Sequence, residues 1–117
     1  MLYERIEIGG KEHTFCICAS VNVCYQNVFH EDFIKIVSNG EESTSAFMKM
    51  AFIMAKFAEL NDRKLVNQLT LDDYCDWLDQ FTPGEIILAL PKVEEAYMRE
   101  SAGTVKTKKN NGEPTGK

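Results

Sequence analysis

Thr44-Ser45-Ala46-Phe47-Met48-Lys49-Met50-Ala51-Phe52-Ile53-Met54-Ala55-Lys56-Phe57-Ala58-Glu59-Leu60 is the stretch on which the fold turns. It holds no Gly or Pro, and it is rich in Ala, Met, Leu, Lys and Glu, the strong helix formers. A helix over these residues is about 25 Å long. Its apolar side chains do not keep to one stripe. They cover most of the circumference, and only Lys49, Lys56 and Arg63, with Glu59 beside them, mark a polar line. A helix apolar nearly all round must be covered by its own domain or by partners. The two lysines and the short uninterrupted apolar run argue against a membrane span. Thr44–Leu60 is therefore expected at the centre of the fold, and apolar surface left over on it is expected to bind.

The chain has 117 residues, 44% of them apolar, a size and composition suited to one domain with its own core. Met1-Leu2-Tyr3-Glu4-Arg5 has no basic region followed by an apolar run, so no signal peptide is expected. Four cysteines without a secretory signal read as free thiols. The net charge of −5 is unevenly spread. Lys106, Lys108, Lys109 and Lys117 oppose Glu113 at the C-terminal end, so the body before them is more acidic than the whole. An acidic body argues against a nucleic-acid partner, whose footprint is a basic face.

Before the central stretch, Leu2–Ile8 alternates as a half-buried strand, and Gly9-Gly10 signals a hairpin. His13–Ala19 reads as the return strand, apolar on both faces from Phe15. Ser20 suits an N-cap, and Val21, Cys24, Tyr25, Val28 and Phe29 form one helical face. Phe33–Val37 makes a short second helix closed by Gly40. After the central stretch, Leu65, Val66 and Leu69 suggest another helical turn or two. Thr70 to Asp73 reads as a capping box for a helix that turns Leu71, Tyr74, Cys75, Leu78 and Phe81 inward, with Trp77 beside them. Thr82 to Glu85 is a second box, with Pro83 at the first helical position. Ile86, Ile87, Leu88, Leu90, Val93, Ala96, Tyr97 and Met98 follow, and Pro91 should kink or split that helix. The expectation is an α+β fold: an N-terminal β-hairpin followed by a mainly α-helical bundle of four to five helices. Residues 1–101 form its single domain, and 102–117 a disordered basic tail.

Little in the chain suggests chemistry. Cys16, Cys18 and Cys24, with Cys75, His13 or His30 as a fourth ligand, lack the pair spacing of structural zinc sites, and cysteine commonly serves as a small buried hydrophobe. His13 and His30 are the only residues able to act as a base near neutral pH, and His30 sits where a turn or cap residue is ordinary. Asp72, Asp73, Asp76 and Asp79 read as a solvated helix face. There is no phosphate loop, no His-Glu-x-x-His and no Gly-x-Ser-x-Gly. No catalytic residue, metal or cofactor is expected, and the protein is not read as an enzyme. Met48, Met50 and Met54, beside Phe47, suit either core filling or adaptable partner binding. These four residues are the expected partner contacts.

Ile6-Glu7-Ile8-Gly9-Gly10-Lys11-Glu12 followed by short amphipathic helices, the segment Leu69-Thr70-Leu71-Asp72-Asp73-Tyr74-Cys75-Asp76-Trp77-Leu78-Asp79, and a last helix with a Lys/Asn/Gly end resemble the tail assembly chaperones of long-tailed bacteriophages and related prophages. The likeness covers roughly residues 2–100 by order of elements. The cysteine-rich second strand and the Met-rich central helix depart from that pattern. The resemblance implies a non-catalytic protein of the host bacterial cytoplasm that binds the tape measure protein, assists tail tube assembly and is absent from the mature virion. It implies self-association, and a longer product made by a backward ribosomal frameshift. Lys109-Asn110, written AAA-AAC after a Lys108 codon ending in A, would permit such a slip, and Thr107-Lys108-Lys109 offers a second route through a run of A. A structural head–tail connector or tail completion protein is the alternative reading. No nucleic-acid or membrane partner is expected.

Overall fold

The computed structural model describes residues 2–39 and 44–109, with side chains through residue 100. Over the described residues the chain forms a two-stranded hairpin and then six helices, an α+β fold with one helix more than expected. Strand β1 is Leu2–Ile8 and β2 is Lys11–Ile17, antiparallel, with Ile8 opposite Lys11 and Leu2 opposite Ile17. Gly9 and Gly10 join them with φ of 63° and 82°. Two successive left-handed residues are the signature of the type I′ turn, whose twist matches that of the strands it connects. Ile6, Ile8 and Phe15 are buried on one face of the sheet, while Tyr3, Arg5, Glu7, Glu12 and Thr14 are exposed on the other. Cys16 lies on that second face but is fully buried, so the strand is covered on both sides at its end, as its apolar pattern suggested.

Helix α1 is Ser20–Phe29. Ala19, not Ser20, holds its N-cap position and makes no side-chain cap bond; its φ of −61° is already helical, so the strand winds directly into the first turn. Val21, Cys24, Tyr25 and Val28 are buried as their spacing implies. Helix α2, Phe33–Ser38, is capped by the Asp32 carboxylate, which accepts from the Lys35 amide at 3.1 Å. Asn39 follows as its C-cap, and the cap expected at Gly40 lies outside the described residues.

Helix α3 is Thr44–Leu60, the bounds read from the sequence. It is the hub. Strand β2 and helices α1, α2, α4 (Arg63–Asn67), α5 (Leu71–Leu78) and α6 (Pro83–Lys109) all pack on it. Met50, Ala51, Phe52, Ile53 and Met54 are wholly buried. Each large side chain removed from water in this way contributes about 1.5–3 kcal/mol. The polar line stays outermost. Lys49 bonds Glu31 at 3.0 Å, and Lys56 bonds Glu59 at 3.2 Å. Phe33 on α2, Phe47 on α3 and Tyr97 on the last helix meet edge to face with centroids 5.1–6.0 Å apart. The Tyr97 hydroxyl donates to Asn22 of α1 at 2.9 Å, so four helices share one aromatic knot.

Both expected capping boxes form. The Thr70 and Asp73 side chains satisfy each other's amides at the start of α5, and Thr82 and Glu85 do the same for helix α6, Pro83–Lys109. Helix α5 turns Tyr74 and Trp77 into the core, with Leu78 and Phe81 half-buried. Leu71 and Cys75, expected inward, are exposed, because the face rotates toward the indole. Pro91 does not split α6. The bond it cannot make would go to the carbonyl of Ile87, four residues back, and Ile87 is on the solvent side, where a missing helix bond costs least. The helix also runs past the expected boundary at residue 101 to Lys109, since adding a turn to an anchored helix is far easier than nucleating one. Residues 110–117 of the expected tail lie outside the described residues.

Candidate docking surface

The four expected partner contacts are not at the surface. Phe47 is 4% exposed, Met48 6%, and Met50 and Met54 not at all, all covered by the chain itself. This corrects the expectation. One lone helix with apolar residues all round needs outside help, but here α4, α5 and the hairpin supply the cover.

Apolar surface appears instead on the outer side of α6. Ile87 is 69% exposed and Leu88 73%, the two largest values among the big hydrophobic residues, and Pro91 beside them is exposed too. Met98 is exposed as well. At about 100° per residue, Ile87, Pro91 and Met98 fall within roughly 40° of one line, with Leu88 along its flank. The inner side of the same helix carries Ala89, Val93, Ala96 and Tyr97 in the core. The helix is therefore apolar on two sides. The sequence reading placed apolar residues of both sides on this helix without saying which face inward, because periodicity alone does not say how many faces have neighbours.

The elements around this stripe hold it rigidly. The capping box of Thr82 and Glu85 fixes the start of α6, and the Gly9 turn sits against the Glu85 carboxylate; a Cβ on Gly9 would come 2.6 Å from its Oε2. Arg99 reaches Glu4 of β1 at 2.9 Å and ties the other end of the visible stripe to the sheet. A shallow groove of about 310 Å³ opens between the hairpin turn and α6, lined by Ile8, Gly9, Gly10, Leu88, Ala89 and Lys92 among others. A smaller dent of about 210 Å³, lined by Phe33, Ile34, Val37, Ser38 and Tyr97, separates α2 from α6. The remaining exposed large hydrophobes are Leu2 and Tyr3 on β1, Val23 on α1, Ile34 on α2, Leu65 on α4 and Leu71 on α5.

The titratable groups are engaged in structure. His13 stands edge-on to Phe81 at 5.2 Å, and burial, with Lys11 nearby, pushes its pKa down. His30 takes the left-handed C-cap of α1, with φ of 60°, and its amide donates to the Gln26 carbonyl at 2.8 Å. Burial pushes the Cys16 thiol up to about 11, with the neighbouring Cys18 adding to the shift, and burial also raises Cys24. Cys16 and Cys18 lie 3.9 Å apart, sulfur to sulfur, and all four cysteines are free. Buried thiols raised in this way are weak nucleophiles. Among the described residues, no group of three or more His, Cys, Asp or Glu side chains is arranged to hold a metal ion. The Tyr25 hydroxyl donates to Glu31 at 2.7 Å while Lys49 reaches the other carboxylate oxygen at 3.0 Å and lies over the Phe29 ring, a network that pins the α1–α2 corner to the middle of α3. Among the described residues, no helix is long and apolar enough to cross a membrane. No family model, curated protein or solved structure matches this chain.

Proposed function

We propose that this chain is a phage tail assembly chaperone, a non-catalytic protein that holds the tape measure protein and assists tail tube assembly. The observation that supports the reading best is the apolar stripe of α6. Ile87, Leu88 and Pro91 form an exposed apolar cluster on α6, with Met98 beyond Glu94, that suits the apolar face of an amphipathic client helix. Exposed contiguous apolar surface on a small domain marks an interaction site. The hairpin and the Leu69–Asp79 segment carry the resemblance to the family. In this reading the protein acts in the host bacterial cytoplasm, self-associates along its client and leaves before the virion is complete. A longer form made by frameshifting near Lys109-Asn110 belongs to the same proposal, and the gene sequence over these codons tests it directly.

The principal experiment is co-expression with the tape measure protein of the same phage or prophage. Wild-type chain should keep the tape measure protein in the soluble fraction and co-purify with it. The double variant Ile87→Ser/Leu88→Ser should lose both effects while keeping its circular dichroism spectrum, because neither side chain contributes to the core. Equal solubility of the tape measure protein with and without the wild-type chain would overturn the proposal. Finding the chain at stoichiometric amounts in purified virions would favour a head–tail connector or tail completion protein.

A further inference from the structure

The two-stranded sheet has two edges, and they are not equivalent. Helix α6 packs along β1, while β2 borders a groove of about 620 Å³ on the side away from β1. Four consecutive residues of β2, Lys11 to Thr14, line that groove, and no residue of β1 does. Neighbouring side chains of a strand point to opposite faces, so four in a row can border one space only if the space runs along the strand's edge. The far wall is α3 and α5: Ala55, Lys56, Ala58 and Glu59 from the first, Trp77 from the second, and Gln80 just beyond it.

The pairing register says which backbone groups face the groove. A two-residue turn makes Ile8 and Lys11 a hydrogen-bonded pair, and pairs then alternate along the hairpin. Ile6 opposite His13 is bonded; Glu7 opposite Glu12 and Arg5 opposite Thr14 are not. The N–H and C=O of Glu12 and Thr14 therefore point outward. Among the described residues, no protein group bonds them, and both residues are exposed. The groove is long enough for about four residues of extended chain at roughly 3.3 Å each.

We propose that the β2 edge at Glu12–Thr14 receives an extended segment of a partner protein as a third, antiparallel strand. The partner strand has apolar residues at alternate positions and a basic residue opposite Glu12. Its residue opposite His13 lies on the core face of the sheet, over Ala55, Ala58 and Trp77, a floor that suits an apolar side chain. Its residues opposite Glu12 and Thr14 face solvent. Lys56 is already engaged by Glu59 at 3.2 Å, whereas no cation among the described residues pairs with Glu12, so a basic neighbour is favoured there. A second copy of this chain fits less well, because its own β2 carries the same α3 and α5 walls, and the two pairs of walls would meet. This site shares no lining residue with the groove beside α6 and does not depend on the tape measure reading.

The test uses the full chain, ¹⁵N-labelled, and the blocked pentapeptide Val-Thr-Val-Lys-Val. Titration should shift the Glu12 and Thr14 amides, slow their hydrogen exchange and change the emission of Trp77. Replacing the peptide lysine by glutamate should weaken binding roughly three- to fivefold. N-methylation of the peptide's threonine and lysine amides should abolish binding with the protein untouched. Thr14→Pro should abolish it from the other side, since that proline removes an N–H the hairpin does not use. Absence of shifts at millimolar peptide, binding indifferent to N-methylation, or shifts centred on Ile87 and Leu88 would overturn the proposal. Protection of Glu12 and Thr14 that rises with protein concentration alone would make the occupant a second copy, and would overturn the assignment to a partner.

Discussion

Met50→Ala tests whether α3 is core or docking surface. Met50 is wholly buried near the middle of that helix, beside Ala51, Phe52 and Met54, which are equally inaccessible. The substitution removes three heavy atoms from a site enclosed by the chain's own elements. Large-to-small changes of this kind remove the transfer free energy of the deleted atoms and leave a cavity, together about 2–5 kcal/mol for Met→Ala. With α3 packed by β2 and five helices, collapse around the void is restricted, and we expect about 3 kcal/mol. For a domain of this size each kcal/mol shifts the melting temperature by roughly 4–8 °C, so Tm should fall by about 12–24 °C. The chain's single tryptophan is a suitable reporter: Trp77 is 6% exposed and packs on Phe52 at 5.8 Å. Urea unfolding followed by its fluorescence should give a lower midpoint at unchanged slope. Leu88→Ala, on the exposed face of α6, should stay within about 0.5 kcal/mol of wild type. If Met50→Ala left the urea midpoint unmoved while abolishing client binding, the side chain would be a docking group after all, and the packing argument would be refuted.

Gly9→Ala should destabilise by about 2–3 kcal/mol, from the left-handed φ of 63° and from displacing the Glu85 carboxylate off the Thr82 amide. The same change in a Glu85→Ala background should cost measurably less, and equal costs in the two backgrounds would show that the turn does not press on the cap. Pro91→Ala should raise Tm, since alanine restores the bond to the Ile87 carbonyl and proline costs up to about 3 kcal/mol inside a helix; a lower Tm would mean the ring itself is needed in packing. Glu31 gives a pH dependence. The Tyr25 hydroxyl bond, with Lys49 assisting against partial burial, holds its carboxyl below the usual range. A depressed folded pKa contributes stability that is present above the unfolded value of about 4.3 and is lost as pH falls through the folded value. Urea midpoints measured from pH 6 down to pH 3 should therefore fall less steeply for Glu31→Gln than for wild type, and identical slopes would remove the network from the account.

What could be read from the sequence was whatever a few neighbouring residues decide. The bounds of α3 follow from the absence of Gly and Pro across it, and the boxes at Thr70 and Thr82 are local hydrogen-bond patterns three residues long. The Gly9-Gly10 turn is equally local. The errors share one cause, which is that periodicity does not count neighbours. Ile87 and Leu88 are as apolar as Val93, yet only the face bearing Val93 meets α3 and the hairpin. Leu71 was assigned inward on the same grounds and is exposed. For Met48, Met50 and Met54 the error ran the other way, since the number of elements available to cover α3 is a property of the whole fold. Pro91 was expected to kink or split its helix, and it does not split it, because the missing bond falls on the wet side.

The outward faces of α6 and β2 ask for different partners, and the difference is physical. The α6 stripe offers side chains and no free backbone, so only an occupant with its own apolar face gains by covering it, and serine at Ile87 and Leu88 removes the gain. The β2 edge offers backbone groups at Glu12 and Thr14, so an extended chain gains there whatever most of its side chains are, and proline at Thr14 removes the gain. β1 stands between them, with α6 on one side and β2 on the other. A client with a helix followed by an extended segment could occupy both at once, and the second contact would then form at the high local concentration set by the first. Binding of such a client should weaken by a much larger factor than that of either isolated segment when one surface is lost. A single-surface client should respond to one pair of substitutions and be indifferent to the other.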